Sequence, residues 1–219
     1  MTLPQDQDSI ADSRTRILDE IGPDVTLVAV SKKQPDERIT AALGADQRVF
    51  GENRVQEAQI RWADRRGIAG LQLHLIGPLQ TNKAEDAVQL FDVIETLDRE
   101  KLLNALIKAV EKTGASPPDL MIQVNTGDEP QKAGVSIEGL SDLIANARAS
   151  WPGNLTGLMC IPPVEEPAGP HFALLKKLAD QHGLPNVSMG MSADYAIAIG
   201  LGATHVRIGS ALFGARPPQ

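Results

Sequence analysis

The chain has one cysteine, one tyrosine, two tryptophans and four phenylalanines among its 219 residues. With Cys160 alone, no internal disulfide can form. The shortage of aromatics excludes any mechanism that needs several tyrosines. No apolar run approaches the roughly 18 residues needed to cross a bilayer. The opening stretch, MTLPQDQDSIADSRTR, is polar and lacks the apolar core of a signal peptide. Basic residues are also in deficit: 21 Lys plus Arg stand against 28 Asp plus Glu, a net charge of −7. That balance argues against nucleic acid or an anionic membrane as a partner, although a local basic site can still hold a phosphate. Together these absences point to a globular protein of the cytoplasm.

Familiar chemical signatures are missing too. There is no G-x-x-x-x-G-K-[ST] phosphate loop and no H-E-x-x-H zinc motif. GLGATH (200–205) lacks the third glycine of a dinucleotide fingerprint and precedes a strand. GMSAD (190–194) carries Asp194 where a nucleophile elbow has glycine. His74, His171, His182 and His205 are scattered, so no metal site is expected. His74 reads as a hydrogen-bonded core histidine, and Cys160 as a small buried hydrophobe.

What the chain does have is rhythm. Short, β-branched, nearly continuous apolar runs recur at 26–32, 47–53, 71–77, 91–96, 119–125, 155–161, 186–192 and 204–214. Such runs suit a parallel sheet whose outer face is covered by helices. Amphipathic segments fill the gaps at 53–67, 98–114, 136–150 and 170–183, with short helices at 36–43, 79–88 and 193–201. Residues 98–114 place Leu102, Leu103, Leu106, Ile107 and Val110 on one stripe, with Asp98 as N-cap and Gly114 as stop. Asn53 and Gln56 have capping-box spacing. The longest loop is expected at 162–170, and RPPQ forms a short tail. Eight strands alternating with helices predict one (β/α)8 TIM barrel over 1–219, preceded by an extra N-terminal helix at 8–21. A doubly wound open sheet is the alternative.

In a barrel, chemistry gathers where strands end and the following loops begin. Lys32 ends the first run. Partial desolvation there lowers an amine's pKa and suits it to attack an aldehyde, whereas a solvated rim lysine is the plainer reading. Lys33 points away if the strand continues. Ser192 and the Gly209-Ser210 pair follow strands seven and eight, where barrels often bind phosphate. Ser192 can also cap a helix starting at Ala193. Arg207 lies inside the last apolar strand and must meet a carboxylate, a carbonyl or a ligand.

These segments resemble the pyridoxal phosphate homeostasis protein family, which is related to the barrel domain of alanine racemases. The resemblance runs from about Val28 to Ala215. It is carried by AVSKKQP, FGENRVQE, HLIGPLQTNK, IETLD, QVNTGDEPQKAG, GLMCIP, SMGMSADYAIAI and VRIGSALFGAR, in family order. It implies pyridoxal 5'-phosphate (PLP) as the cofactor, bound as a Schiff base on Lys32. It also implies Ser192, Gly209 and Ser210 at the phosphate, Arg207 facing the pyridine nitrogen, Asn53 close by, and Met191 and Ile76 lining the ring. Arg54 departs from the family's usual tyrosine.

The resemblance implies a protein that carries or buffers PLP for apo-enzymes rather than one that catalyses. Racemisation needs two opposed bases, and the only tyrosine, Tyr195, falls in the helix after strand seven. An arginine facing the ring nitrogen, already a donor, also weakens the ring as an electron sink. A PLP-dependent amino-acid racemase is the alternative function, and a Schiff-base aldolase a third. A monomer is expected. Lys83 and Lys132 are the lysines in family-like segments that could offer a second PLP site.

Overall fold

The structure is a computed structural model, and it describes residues 9–129 and 131–215. Eight strands appear in the expected order: β1 (Thr26–Val30), β2 (Val49–Glu52), β3 (Gln72–Leu75), β4 (Val93–Leu97), β5 (Asp119–Gln123), β6 (Leu155–Met159), β7 (Asn186–Met191) and β8 (His205–Ile208). All neighbours pair in parallel, and β1 pairs with β8, closing the barrel. Closure excludes the open doubly wound sheet.

Helices return the chain between strands: α2 (Asp36–Gly44), α3 (Val55–Trp62), α4 (Ala84–Leu90), α5 (Glu100–Thr113), α6 (Leu140–Ser150), α7 (Ala168–Gln181), α8 (Tyr195–Gly200) and α9 (Ser210–Phe213). The extra helix is present as α1 (Ile10–Ile21), started by a capping box between Ser9 and Asp12. It packs on α2, α8 and α9. The RPPQ tail lies outside the described residues.

Alternation along the strands divides the residues between two layers. Leu27, Ala29, Phe50, Leu73 and Leu75 belong to the main hydrophobic core, with Trp62, Leu102, Leu106, Phe172 and Leu175 of the helices. The opposite set faces the barrel axis. A Cβ on Gly51 would lie 2.9 Å from Ile76 Cδ1 and 3.0 Å from Val28 Cγ1, so any larger residue there would push these two inward side chains aside. Around the rest of the barrel the inward positions turn polar: His74, in register with Gly51, and Glu95, Ser188 and Arg207 are all buried.

Four local expectations are corrected. Asp98 does not cap α5. Arg99 occupies the N-cap position without a side-chain bond, and Asp98 is drawn into an ion pair with Arg99. The Asn53–Gln56 capping box does not form, because Asn53 lies before the N-cap residue Arg54 and its backbone is pressed against Gly77. A helix from 136 is replaced by one starting at Leu140. Val135 is held by backbone bonds with Gln123 and Asn125, which makes 124–139 longer than the expected 162–170 loop. Ser192 does not cap the helix after β7: α8 begins at Tyr195 with Asp194 in the cap position.

Candidate functional site

The strand register assembles the mouth of the barrel. Val30 sits opposite Gly51 of β2, and Ala29 opposite Ile208 of β8. Lys32 lies two residues past Val30, in the turn that follows β1, and Asn53 two past Gly51, in the bend that follows β2. On the other side, a Cβ at Gly209 would lie 3.6 Å from both Val30 Cβ and Val30 O. Met191 of β7 is in register with Arg207 of β8. Asn53, Lys32, Gly209-Ser210 and Ser192 therefore lie just past the ends of four neighbouring strands, although they span 178 positions of sequence from Lys32 to Ser210.

Lys32 is half-buried, while Lys33 turns outward, exposed, with φ 58°. The preceding residue anchors this turn. Ser31 Oγ donates to Glu52 Oε1 at 2.7 Å, and the same oxygen accepts from Arg61 (2.7 Å) and Trp62 Nε1 (3.0 Å). Arg61 also donates to the Gln34 carbonyl at 3.3 Å, so the Glu52–Arg61 pair ties both ends of the Lys32 loop to α3, Glu52 at Ser31 and Arg61 at Gln34. Glu52 lies inside the apolar run 47–53, and its anchoring role depends on a partner, Ser31, distant in sequence.

Ser192 faces the turn after β8. Its Oγ accepts from the backbone N–H of Gly209 (3.2 Å) and of Ala211 (3.4 Å). Its placement depends on a bulge. The β7–β8 register shifts between Ser188 and Met191, and Gly190 there takes φ 89°. A Cβ on Gly190 would lie 2.6 Å from Ala198 Cβ. Asp194 Oδ1 then accepts from Met191 N at 2.6 Å and fixes the turn. Met191 is at the rim, 39% exposed, and Ser210 is exposed at the start of α9, while Ile76 is buried beside Gly51.

Arg207 forms the floor. One terminal nitrogen donates to Ser188 Oγ and the other to the Cys160 carbonyl, both at 2.7 Å. Ser188 Oγ donates to Glu95 Oε2 (2.5 Å), and the other Glu95 oxygen meets His74 Nδ1 (2.7 Å). Glu95 also lies 4.0 Å from Arg207. Burial opposes ionisation of Glu95, but His74, Arg207 and Ser188 overcome it and hold the carboxyl at about 2. Burial pushes the Cys160 thiol up to about 12, which leaves it inert, and lowers His205 to about 4. The sequence marked His74 and Arg207 but not their link. The available signal was polar residues at alternate places in otherwise apolar strands.

Other expected residues lie elsewhere. Tyr195 donates to Glu20 of α1, on the outer face of the barrel. Lys132 pairs with Glu129 at 2.5 Å in the loop after β5. Lys83 is 3.8 Å from Asp86. Among the described residues no helix is long and apolar enough to cross a membrane, and no cluster suits a metal.

Residues 6–217 match the alanine racemase N-terminal domain family. The pyridoxal phosphate homeostasis protein of Escherichia coli K12 is 38% identical over 226 residues, covering 98% of this chain and 95% of that protein. Its counterpart in Pseudomonas aeruginosa is 42% identical over 198 residues, covering 88% and 85%. Among solved structures, PipY of Synechococcus elongatus with PLP bound superposes with a TM-score of 0.85 at 36% identity, covering 94% of this chain and all of PipY. An alanine racemase of Clostridium difficile shares the fold at 15% identity, with a TM-score of 0.76. Sequence, register and fold agree, and the chain belongs to the pyridoxal phosphate homeostasis protein family, built on the barrel of the alanine racemase N-terminal domain.

Proposed function

We propose that this protein binds PLP reversibly at the barrel mouth and serves to carry or buffer it. The observation that supports the reading is the strand order β2-β1-β8-β7, whose ends are followed in turn by Asn53, Lys32, the Gly209-Ser210 turn and Ser192. The residues fit the group. Asn53 Oδ1 is buried without a hydrogen-bond partner, an acceptor awaiting a donor. Ser192 Oγ gathers the Gly209 and Ala211 N–H groups, which leaves its hydroxyl hydrogen to donate to a phosphate at this turn.

Bound PLP would supply an aldehyde, and Lys32 would be the amine that holds it as a Schiff base. The protein's own contribution is placement. Ser31, Glu52 and Arg61 hold the Lys32 loop; Ser192 with Gly209 and Ser210 would take the phosphate, and Met191 would border the ring. Arg207, held by Ser188 and the Cys160 carbonyl, would face the ring nitrogen as a hydrogen-bond donor.

Two features support a carrier over a racemase. Tyr195 is engaged with α1 and is not available as a second base at the mouth. Arg207, always charged, does not readily give a proton to the ring, which limits carbanion chemistry. Candidate recipients are apo PLP-dependent enzymes.

The test is an absorption spectrum of the purified protein, then borohydride reduction and peptide mapping. A yellow band and a pyridoxyl group on Lys32, both absent in Lys32→Ala, are expected. A protein that stays colourless and takes up no added PLP overturns the reading. Steady turnover of one amino acid, abolished by Lys32→Ala, overturns the carrier role in favour of an enzyme.

A further inference from the structure

Beside the mouth, between the loops after β2, β3 and β4, is a cavity of about 630 Å³. Its lining includes Arg54, Lys83 and Arg99 with the amides of Asn53, Gln56 and Gln80, and it contains no carboxylate. In a chain of net charge −7 this composition is selective. Three other surface cavities, of about 500, 460 and 400 Å³, each include at least one Asp or Glu. The carboxylates that pair with these cations, Glu57, Asp86 and Asp98, all lie outside the lining.

The floor is rigid. A Cβ on Gly77 would lie 2.3 Å from the Asn53 carbonyl oxygen, so the two loops touch through backbone. Thr96 Oγ1 donates to the Gly77 carbonyl at 2.9 Å, and Arg99 donates to the Leu79 carbonyl at 3.1 Å, fixing both walls. Val55 and Gln56, the first residues of α3, open onto the cavity, and the N-cap residue Arg54 makes no side-chain capping bond. The first N–H groups of a helix have no partner within it, and they add positive potential to that of the three cations.

We infer that this cavity is a second anion site, next to the first and sharing Asn53 with it, for the phosphate or carboxylate of a small organic ligand. Its size suits such a ligand. Three cations from three loops, with amide donors between them, provide the convergent charge that an oxyanion needs. The cofactor reading is not required for this inference, although a ligand held here would lie beside Lys32.

The test titrates inorganic phosphate and, separately, malonate into protein whose Lys32 has been blocked with PLP and borohydride. Binding is followed by calorimetry at low, constant ionic strength and by the side-chain amide signals of Gln56 and Gln80. Binding of either anion is expected, with affinity at least tenfold weaker in Lys83→Gln/Arg99→Gln and unchanged in Lys108→Gln, a lysine of another surface cavity. Lys83→Gln/Arg54→Gln disturbs no backbone bond and should show the same loss if the first pair fails to fold. Preference for phosphate or for malonate identifies which oxyanion the site takes. The inference is overturned if neither anion binds, or if the folded variants bind as tightly as the wild type. If borohydride leaves no label on Lys32, the cofactor reading fails, and the same titrations on untreated protein still decide this one.

Discussion

Arg207 is a charge that cannot be neutralised, held almost fully out of water. Ser188, the Cys160 carbonyl and Glu95 compensate it, and Glu95 is in turn held by His74. Breaking a buried ion pair from one side costs about 3–5 kcal/mol, because it strands the partner, whereas removing both partners can be nearly neutral. Glu95→Leu should therefore destabilise by about 3–5 kcal/mol, and Glu95→Leu/Arg207→Met by clearly less. Urea denaturation of the two variants measures this. A double variant weaker than the single one would show that the pair is not what holds Arg207. At this scale the sequence was partly legible. Lys32 showed itself as a cation ending an apolar run, and Arg207 as a charge that needed partners. Glu95 and Ser188 did not stand out, because their meeting depends on which face each strand turns inward, and a polar residue read alone looks the same on either face.

Elements were legible where periodicity was strong. The apolar runs gave all eight strands, and the stripe on α5 is buried as expected at Leu102, Leu103 and Leu106. Boundaries set by contacts distant in sequence were not legible. Asn53 fails as a cap because Gly77 occupies its backbone, and the bulge in β7 arises from Gly190 packing against α8. That bulge sets where Ser192 meets the turn after β8. Gly190→Ala would strain φ 89° and push a methyl to 2.6 Å from Ala198 Cβ. It should cost about 1–3 kcal/mol and weaken PLP uptake at least tenfold by displacing Ser192. Gly200→Ala, in the same α8, meets nothing within 4 Å and should be neutral or stabilising by about 0.5–1 kcal/mol. Thermal unfolding with PLP titration of both variants separates the bulge from a general intolerance of α8, and equal behaviour would refute the role given to Gly190.

Across the whole molecule, two layers do different work. The apolar layer between sheet and helices supplies the hydrophobic stabilisation, while the barrel interior toward the mouth is polar and charged. A polar interior makes the fold sensitive to acid. Burial lowers His205 from 6.5 to about 4, with Arg207 and His74 acting in the same direction and Glu95 against them. Between those pH values the unfolded chain binds a proton at His205 that the folded barrel refuses. This contribution is fully present above pH 6.5 and is lost as pH falls toward 4, amounting to roughly 3 kcal/mol. Glu95, held at about 2 against an ordinary 4.5, continues the loss below that window. Urea midpoints taken from pH 7 to pH 4 should fall steadily for the wild type and be flatter, by about one proton, for His205→Gln. His205→Gln also gives up contact with Thr204, which lowers its stability at every pH without changing the slope. Slope and offset therefore report different things. Equal slopes in the two proteins would move the origin of acid sensitivity from the barrel interior to the exposed carboxylates.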